Sequence, residues 1–134
     1  LSIRRQRQMC IRDRQKGKGK IINISSGTAL GSPSPGIIHY ITSKGAVIGF
    51  TRALAREVGE HNINVNSVTP GLVATEITEK IYPRERFEMS KERRCVKRNE
   101  HPEDLVGTIV FLASDESGFI TGQIINVDGG NIMH

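Results

Sequence analysis

The sequence predicts an α/β fold in which three parallel strands alternate with helices. Three short runs rich in β-branched residues, at 20–24, 64–68 and 123–127, are typical of buried strands. The two segments between them contain apolar residues at helical spacing, and a strand–helix–strand order requires parallel crossovers. Because three strands make a small sheet, we expect part of a larger doubly wound domain.

Each predicted strand ends at a residue pattern that favours a turn. The first is followed by Ser25, Ser26 and a glycine, the second by Pro70-Gly71, and the third by an Asp-Gly-Gly sequence at 128–130. Residues 30–35 contain glycine, serine and two prolines, so a loop is predicted there.

The first crossover helix is predicted to begin near Ile38 and to end at Gly59, which supplies a C-terminal stop. Its apolar residues are spaced by three, four and four positions, as on one buried face of an α-helix. These residues are Val47, Phe50, Leu54 and Val58.

The second crossover contains a charged stretch and then a helix. Residues 75–98 are strongly charged with scattered apolar residues, which predicts one or two short surface helices over a cleft. Pro102 lies where the first residue of the next helix belongs, with acidic residues following it in the first turn. The predicted apolar stripe of this helix consists of Leu105, Ile109 and Leu112.

The chain has 134 residues and a formal charge of +5, of which residues 1–14 carry +4. Its length permits one domain. It has no apolar run long enough to span a membrane and no signal-peptide pattern. The two cysteines, Cys10 and Cys95, form no disulfide framework or zinc pattern, so a reducing, cytoplasmic setting is expected.

The basic segment at residues 1–14 has two interpretations. A basic arm can bind nucleic acid, although this one lacks aromatic residues for base stacking. Alternatively, residues 4–13 read RRQRQMCIRD, which resembles a common transposase-based sequencing adapter translated in frame. We favour the second interpretation, in which residues 1–14 are non-native and the native sequence starts in mid-protein near Gln15.

Tyr40 and Lys44 are the first candidates for chemistry. At four residues apart they project from one helix face, one turn from each other. A nearby ammonium stabilises the phenolate form of a phenol, so such a pair can exchange a proton with a carbonyl–alcohol couple. A tyrosine four residues before a lysine is also common on solvated helix faces, so the pair needs support from elsewhere in the chain.

Ser25, Ser26 and Pro70-Gly71 follow two neighbouring strands of the predicted parallel sheet. Ligands of such sheets gather at the carboxyl ends of the strands. A serine hydroxyl there can donate a hydrogen bond to a substrate oxygen, although a lone serine at a strand end more often forms a turn.

The ordered combination of these motifs resembles the short-chain dehydrogenase/reductase family. The resemblance covers residues 18–134. The matching segments are IINISSG, HYITSKGAVIGFTRALAREVG, INVNSVTPGLVATE and HPEDLVGTIVFLASDESGFITGQIINVDGG. It implies the C-terminal half of a Rossmann sheet and an NAD- or NADP-dependent oxidoreductase acting on a small carbonyl or secondary alcohol, similar to 3-oxoacyl-[acyl-carrier-protein] reductase.

The resemblance implies a role for each matching residue. Tyr40 would be the general acid or base, Lys44 would assist it and bind the nicotinamide ribose, and Ser26 would bind the substrate oxygen. The family's serine stands about 13 residues before its tyrosine, but Ser26 stands 14 before Tyr40, which an extra residue near 32–35 would explain. Ser25 and Thr28 therefore remain weaker candidates.

The resemblance also implies a cofactor contact surface after the second strand. Pro70, Gly71, Val73 and Thr75 would contact the nicotinamide amide and the pyrophosphate. Residues 76–98 would form the variable substrate lid. No metal site is predicted.

Several family features have no match in this sequence. It contains neither the glycine-rich TGxxxGxG turn nor the NNAG segment, and the tetrad asparagine and the residue that separates NAD from NADP are also missing. A full chain of this kind has about 250 residues. A homodimer or homotetramer is expected, with the apolar stripe of residues 47–58 and the last strand as interface candidates.

Parts of the sequence suggest three alternative functions. One is a nucleic-acid-binding protein that uses the basic arm, and another is a non-catalytic paralogue that keeps the fold for partner binding. The third is a hydrolase with Ser26, His39 and Asp128 as a triad, which is disfavoured because no Gly-x-Ser-x-Gly motif surrounds Ser26.

Overall fold

The computed structural model describes residues 17–31 and 35–133. The predictions for residues 1–14 and for an inserted residue at 32–34 lie outside the described residues. The described chain forms three strands, five α-helices and two 3₁₀ turns. In chain order these are β1 (Gly19–Ile24), α1 (Thr28–Gly31), α2 (Ile38–Val58), a turn (Gly59–His61), β2 (Ile63–Pro70), α3 (Glu76–Ile81), α4 (Arg84–Arg93), α5 (Glu103–Ala113), a turn (Asp115–Ser117) and β3 (Ile124–Val127).

The three strands form one parallel sheet in the order β1-β2-β3. Gly19 of β1 pairs with Ile63 of β2, and Ser67 of β2 pairs with Ile124 of β3. The predicted α/β class, the parallel direction and the existence of each strand are confirmed. Within the described residues β1 has a single partner strand, so its other backbone edge faces away from the sheet.

The core lies between α2 and the first two strands. Hydrophobic residues of all three elements are buried there against one another, which removes apolar surface from water. They are Ile21, Ala55, Val58, Ile63 and Val65. One polar pair crosses this interface, since the Asn23 side chain of β1 donates to Thr51 Oγ1 of α2 over 3.0 Å.

The predicted buried face of α2 is confirmed at Val58 and wrong at Phe50, while Val47 and Leu54 are half-buried. The residues that the helix buries are Ile48, Thr51, Ala55 and Val58. Phe50, predicted to be inside, is 40% exposed. The small side chains of Thr51 and Ala55 lie against the sheet, and Thr51 satisfies the buried Asn23 amide. A prediction based on apolar residues alone therefore missed Thr51, the polar residue of this buried face.

The end of α2 also differs from its prediction. Gly59 has right-handed helical angles and begins the 3₁₀ turn, while Asn62 adopts the left-handed conformation with φ of 55°. The Asn62 N–H donates to the Gly59 carbonyl and closes the turn. Asparagine tolerates this conformation better than most residues, so it replaces the expected glycine.

The second crossover matches its prediction more closely. Two short helices, α3 and α4, occupy the charged stretch, and α5 follows Pro102, which has helical angles directly before the first helical residue. Leu112 is buried, while Leu105 and Ile109 are half-buried. No helix in the described part of the chain has the length and apolar character needed to cross a membrane.

Candidate active site

The carboxyl ends of all three strands meet at one edge of the sheet, where α4 covers a cavity of ≈370 Å³. Ser26 and Tyr40 line one side of this cavity, and Pro70 and Gly71 line its base. Ligands of parallel α/β sheets bind at this edge. The structure therefore brings together the candidate residues that follow β1, begin α2 and end β2.

The two serines after β1 occupy different environments. Ser26 lines the cavity, and its Oγ lies 3.0 Å from Thr28 Oγ1. Ser25 Oγ instead donates to the Lys44 carbonyl over 2.7 Å and ties the end of β1 to α2. Thr28 also lines the cavity, so it remains a neighbour able to orient the Ser26 hydroxyl.

Tyr40 and Lys44 lie one turn apart at the start of α2. The Lys44 ammonium is 5.8 Å from the centre of the Tyr40 ring. It also donates to the Ile24 carbonyl over 3.1 Å, which fixes it beside the end of β1. An ammonium has three N–H donors, and this bond uses one of them, so two remain for a polar ligand such as a ribose diol.

The four residues predicted to contact a nicotinamide cofactor lie in one segment after β2. Pro70 and Gly71 line the cavity. Val73 pairs with Glu100 in an isolated parallel bridge. Thr75 caps α3, and its hydroxyl forms a capping box with Thr78 at 3.1 Å from the Thr78 N–H. Val73 and Thr75 do not line the cavity, so any cofactor contact of theirs lies outside its walls.

A buried ion pair that was not predicted from the sequence supports Gly71 at the base of the cavity. Glu100 Oε2 accepts from the Gly71 N–H over 3.1 Å and from Arg94 over 3.0 Å. Arg94 also donates to the Leu72 carbonyl over 2.9 Å. A Cβ at Gly71 would lie 2.7 Å from Glu100 Oε2 and 3.0 Å from Asp128 Cβ. Only glycine fits at this position.

Burial determines the protonation of this pair. It raises the pKa of Glu100 to about 7, although the Arg94 guanidinium and the Gly71 N–H oppose the shift. Glu100 is 5% exposed, and its Oε1 has no hydrogen-bond partner among the described residues. The base of the site therefore contains a carboxyl group that changes its charge near neutral pH.

Asp128 closes the same edge after β3, but its carboxylate is fully engaged. One oxygen accepts from the N–H groups of Gly130 and Asn131, and the other from the Ile132 N–H, each at 2.9–3.0 Å. Ser26, His39 and Asp128 all line the cavity, yet His39 forms no hydrogen bond to either of them among the described contacts. The hydrolase triad is therefore unsupported.

One face of α4, together with Tyr82 directly after α3, contributes to the lining of the same cavity. Sequence reasoning predicted a charged lid here but singled out none of its residues. The lid residues that line the cavity are Tyr82, Arg86, Met89, Ser90 and Arg93. Within the described residues no group of three or more His, Cys, Asp or Glu side chains is placed to hold a metal ion.

The fold and the candidate site define an α/β protein with a Ser–Tyr–Lys arrangement at the ligand-binding edge of a parallel sheet. A family model described as enoyl-(acyl carrier protein) reductase matches residues 3–131. The chain belongs to the short-chain dehydrogenase/reductase family. The matched range includes most of residues 1–14, whose origin in a sequencing adapter stays a prediction.

Named relatives agree with this assignment. The chain is 42% identical to the short-chain reductase protein NovJ of Streptomyces niveus, over 87% of this chain and 46% of that protein. It is also 42% identical to the 3-oxoacyl-[acyl-carrier-protein] reductase FabG of Thermotoga maritima, over 86% of this chain and 46% of that protein.

A solved structure extends the likeness to the fold. The structure of a short-chain type dehydrogenase/reductase from Mycobacterium ulcerans superposes with a TM-score of 0.85 at 32% identity, covering 91% of this chain and 44% of that one. The chain thus spans about half the length of the relatives it matches.

Proposed function

We propose that this chain is the C-terminal half of an NAD- or NADP-dependent oxidoreductase that interconverts a small carbonyl compound and its secondary alcohol. The observation that carries the proposal is the placement of Ser26 and Tyr40 in one cavity, with Lys44 one helical turn behind Tyr40.

In carbonyl reduction the Tyr40 hydroxyl gives its proton to the substrate oxygen, and in alcohol oxidation it takes that proton back. Ser26 Oγ donates a hydrogen bond to the same oxygen and stabilises the charge that develops on it. Lys44 stabilises the phenolate left on Tyr40. A bound nicotinamide supplies the hydride for reduction or accepts it in oxidation.

The residues present fit the nicotinamide end of such a cofactor. Lys44 has two unused N–H donors for the ribose. Tyr40, Pro70, Gly71, Val73 and Thr75 complete the proposed contact set. The choice between NAD and NADP stays open, because the residues that discriminate between them have no match in this sequence.

The proposal extends to a homodimer or homotetramer in the cytoplasm. Exposed apolar side chains on α2, on α5 and before β3 are candidates for the interface. These residues are Phe50, Val106, Val110 and Phe119. Among subfamilies we favour the 3-oxoacyl-[acyl-carrier-protein] reductases and related secondary-alcohol dehydrogenases, as the name of the Thermotoga maritima relative suggests.

The test uses the completed chain, which we define as residues 15–134 joined to the upstream half obtained by resequencing the source gene. We expect oxidation of NADH or NADPH, followed by absorbance, with a panel of 3-oxo esters and simple ketones. No turnover with either cofactor, in a folded protein that binds neither of them, would refute the proposal.

The same resequencing decides the origin of residues 1–14. Salt-dependent DNA binding that depends on those residues would support the nucleic-acid-binding alternative.

A further inference from the structure

Helix α4 places two guanidinium groups over the candidate site. Arg86 and Arg93 line the same cavity as Ser26 and Tyr40. Together with Met89 and Ser90, these arginines occupy positions spaced by three, one and three residues, so all four share one face of the helix.

The acidic residues of α4 lie on a different face. Glu85, Glu88 and Glu92 are spaced by three and four, so they also share a face, about a third of a turn around the helix from the arginines. None of the three lines the cavity. Glu88 pairs with Lys91 at 2.9 Å, away from the cavity. The helix is therefore mixed in composition but cationic where it faces the site.

No carboxylate in the described residues neutralises these two arginines. Arg86 has its guanidinium 5.7 Å from the Tyr82 ring centre, and neither arginine forms an ion pair in the described part of the chain. Asp128 is the single carboxylate among the described cavity-lining residues, and both its oxygens accept backbone N–H groups. The part of α4 that lines the cavity thus contributes two arginines that form no ion pair within the described residues.

We propose that Arg86 and Arg93 select substrates that carry an anionic group, a carboxylate or a phosphate, in addition to the reacting carbonyl or alcohol. Guanidinium groups bind such anions with paired N–H donors. Ser26 and Tyr40 hold the reacting oxygen, and the two arginines hold the anion within the same cavity. This inference rests on the proposed oxidoreductase function and names the substrate class of the same cavity.

The kinetic test compares matched substrates on the completed chain. 3-Oxobutanoate is paired with its methyl ester, and dihydroxyacetone phosphate with dihydroxyacetone. We expect the double variant Arg86→Gln/Arg93→Gln to lower kcat/KM at least about tenfold for the better of the two anionic substrates and less than about threefold for its neutral partner. Arg84→Gln is the control, because this exposed arginine of α4 does not line the cavity. Arg84→Gln should leave kcat/KM unchanged for both the anionic substrate and its neutral partner.

Two kinetic outcomes would overturn the inference. One is an equal loss for the anionic and neutral partners. The other is a higher Kd for NADH or NADPH together with an unchanged ratio of kcat/KM between the anionic and the neutral partner. That result would mean that the arginines bind the cofactor's phosphates. The reversal variant Arg86→Glu/Arg93→Glu should favour the neutral partner more strongly still.

A binding measurement separates this inference from the proposed function. Malonate and its dimethyl ester are titrated by calorimetry into the completed chain carrying Tyr40→Phe, with and without the arginine substitutions. Malonate binding that needs Arg86 and Arg93 supports the inference even if the chain turns over no substrate, a result that would count against the proposed function alone. Malonate binding that is absent, or unaffected by the arginine substitutions, overturns the inference.

Discussion

Two parts of the candidate site are held in place by different kinds of interaction. The reactive wall, which we define as Ser26, Tyr40 and Lys44, is held by neutral or singly charged contacts between neighbouring segments. The base, defined as Gly71 with Arg94 and Glu100, is held by a buried ion pair that bonds directly to the backbone. Tyr40 is 39% exposed, whereas Arg94 is 2% exposed.

This difference separates chemistry from positioning. The reactive wall contains no buried ion pair: Ser26 is a small neutral side chain, and Tyr40 is 39% exposed, so removing either hydroxyl leaves no buried charge without a partner. Removing one partner of a buried ion pair leaves an uncompensated charge, which is strongly destabilising. In the proposed reaction the reactive wall would set the rate, and the base would set the shape of the segment on which a nicotinamide would rest.

The largest expected effect concerns residues 15–134 expressed alone. The outer edge of β1 has no partner strand in the described residues, and its Ile24 is 45% exposed. Unpaired strand edges beside apolar residues favour aggregation. We expect poor solubility or aggregation, and no binding of NADH or NADPH at millimolar concentration in a fluorescence titration. A soluble monomer with micromolar affinity for either cofactor would show that both parts of the cavity are complete in this segment.

The next effect distinguishes Ser26 of the reactive wall from its neighbour Ser25. In the completed chain, Ser26→Ala should lower kcat about 100-fold, because it removes a donor to the developing oxyanion. Ser25→Ala should leave kcat nearly unchanged and lower the free energy of unfolding by about 1 kcal/mol, because it removes the hydrogen bond to the Lys44 carbonyl. Steady-state kinetics and chemical denaturation of both variants check this. The reverse pattern would make Ser25 the catalytic serine.

Lys44→Met should have a smaller effect on rate with a distinctive pH dependence. Loss of the ammonium removes the stabilisation of the Tyr40 phenolate and a ribose contact. We expect at least about a tenfold lower rate at neutral pH, partly recovered toward alkaline pH, and weaker cofactor binding. Rate profiles between pH 6 and 10 check this. A profile with the same shape as the wild type would disprove the coupling of Lys44 to Tyr40.

The smallest expected effect concerns the base. Since the pKa of Glu100 is raised from 4.5 to about 7, the folded state holds this proton more tightly than the unfolded state. The free energy of unfolding should therefore fall as the pH rises from 4.5 to 7, by about 1–3 kcal/mol from this group. Arg98 lowers the pKa of Asp104, so the contribution of that carboxyl to stability is constant between pH 4.5 and 7 and is lost only at more acidic pH.

Denaturation of the completed chain at pH 5 and pH 7.5 measures this dependence. Glu100→Gln should flatten it, whatever its effect on absolute stability. Glu92→Gln, at an exposed position on α4, is the control and should keep the slope. An identical slope in wild type and Glu100→Gln would show that Glu100 ionises normally.

The comparison also explains what the sequence could predict. The strands were found because each is a contiguous β-branched run, and Ser26, Tyr40 and Lys44 were found because motif and chain order coincide. The pairing of Arg94 with Glu100 was not foreseen, because both stand in a charged segment that is typical of a solvated surface. Their burial depends on the loop after β2 folding over them, and no local spacing encodes that contact.

The measurement that tests the central claim most directly is the turnover of Tyr40→Phe in the completed chain. The substitution removes one hydroxyl and keeps the ring, so cofactor affinity should change less than about twofold. The rate should fall at least about 100-fold, because the proton donor is lost. A variant that keeps more than about a tenth of the wild-type rate would contradict the assignment of proton transfer to Tyr40.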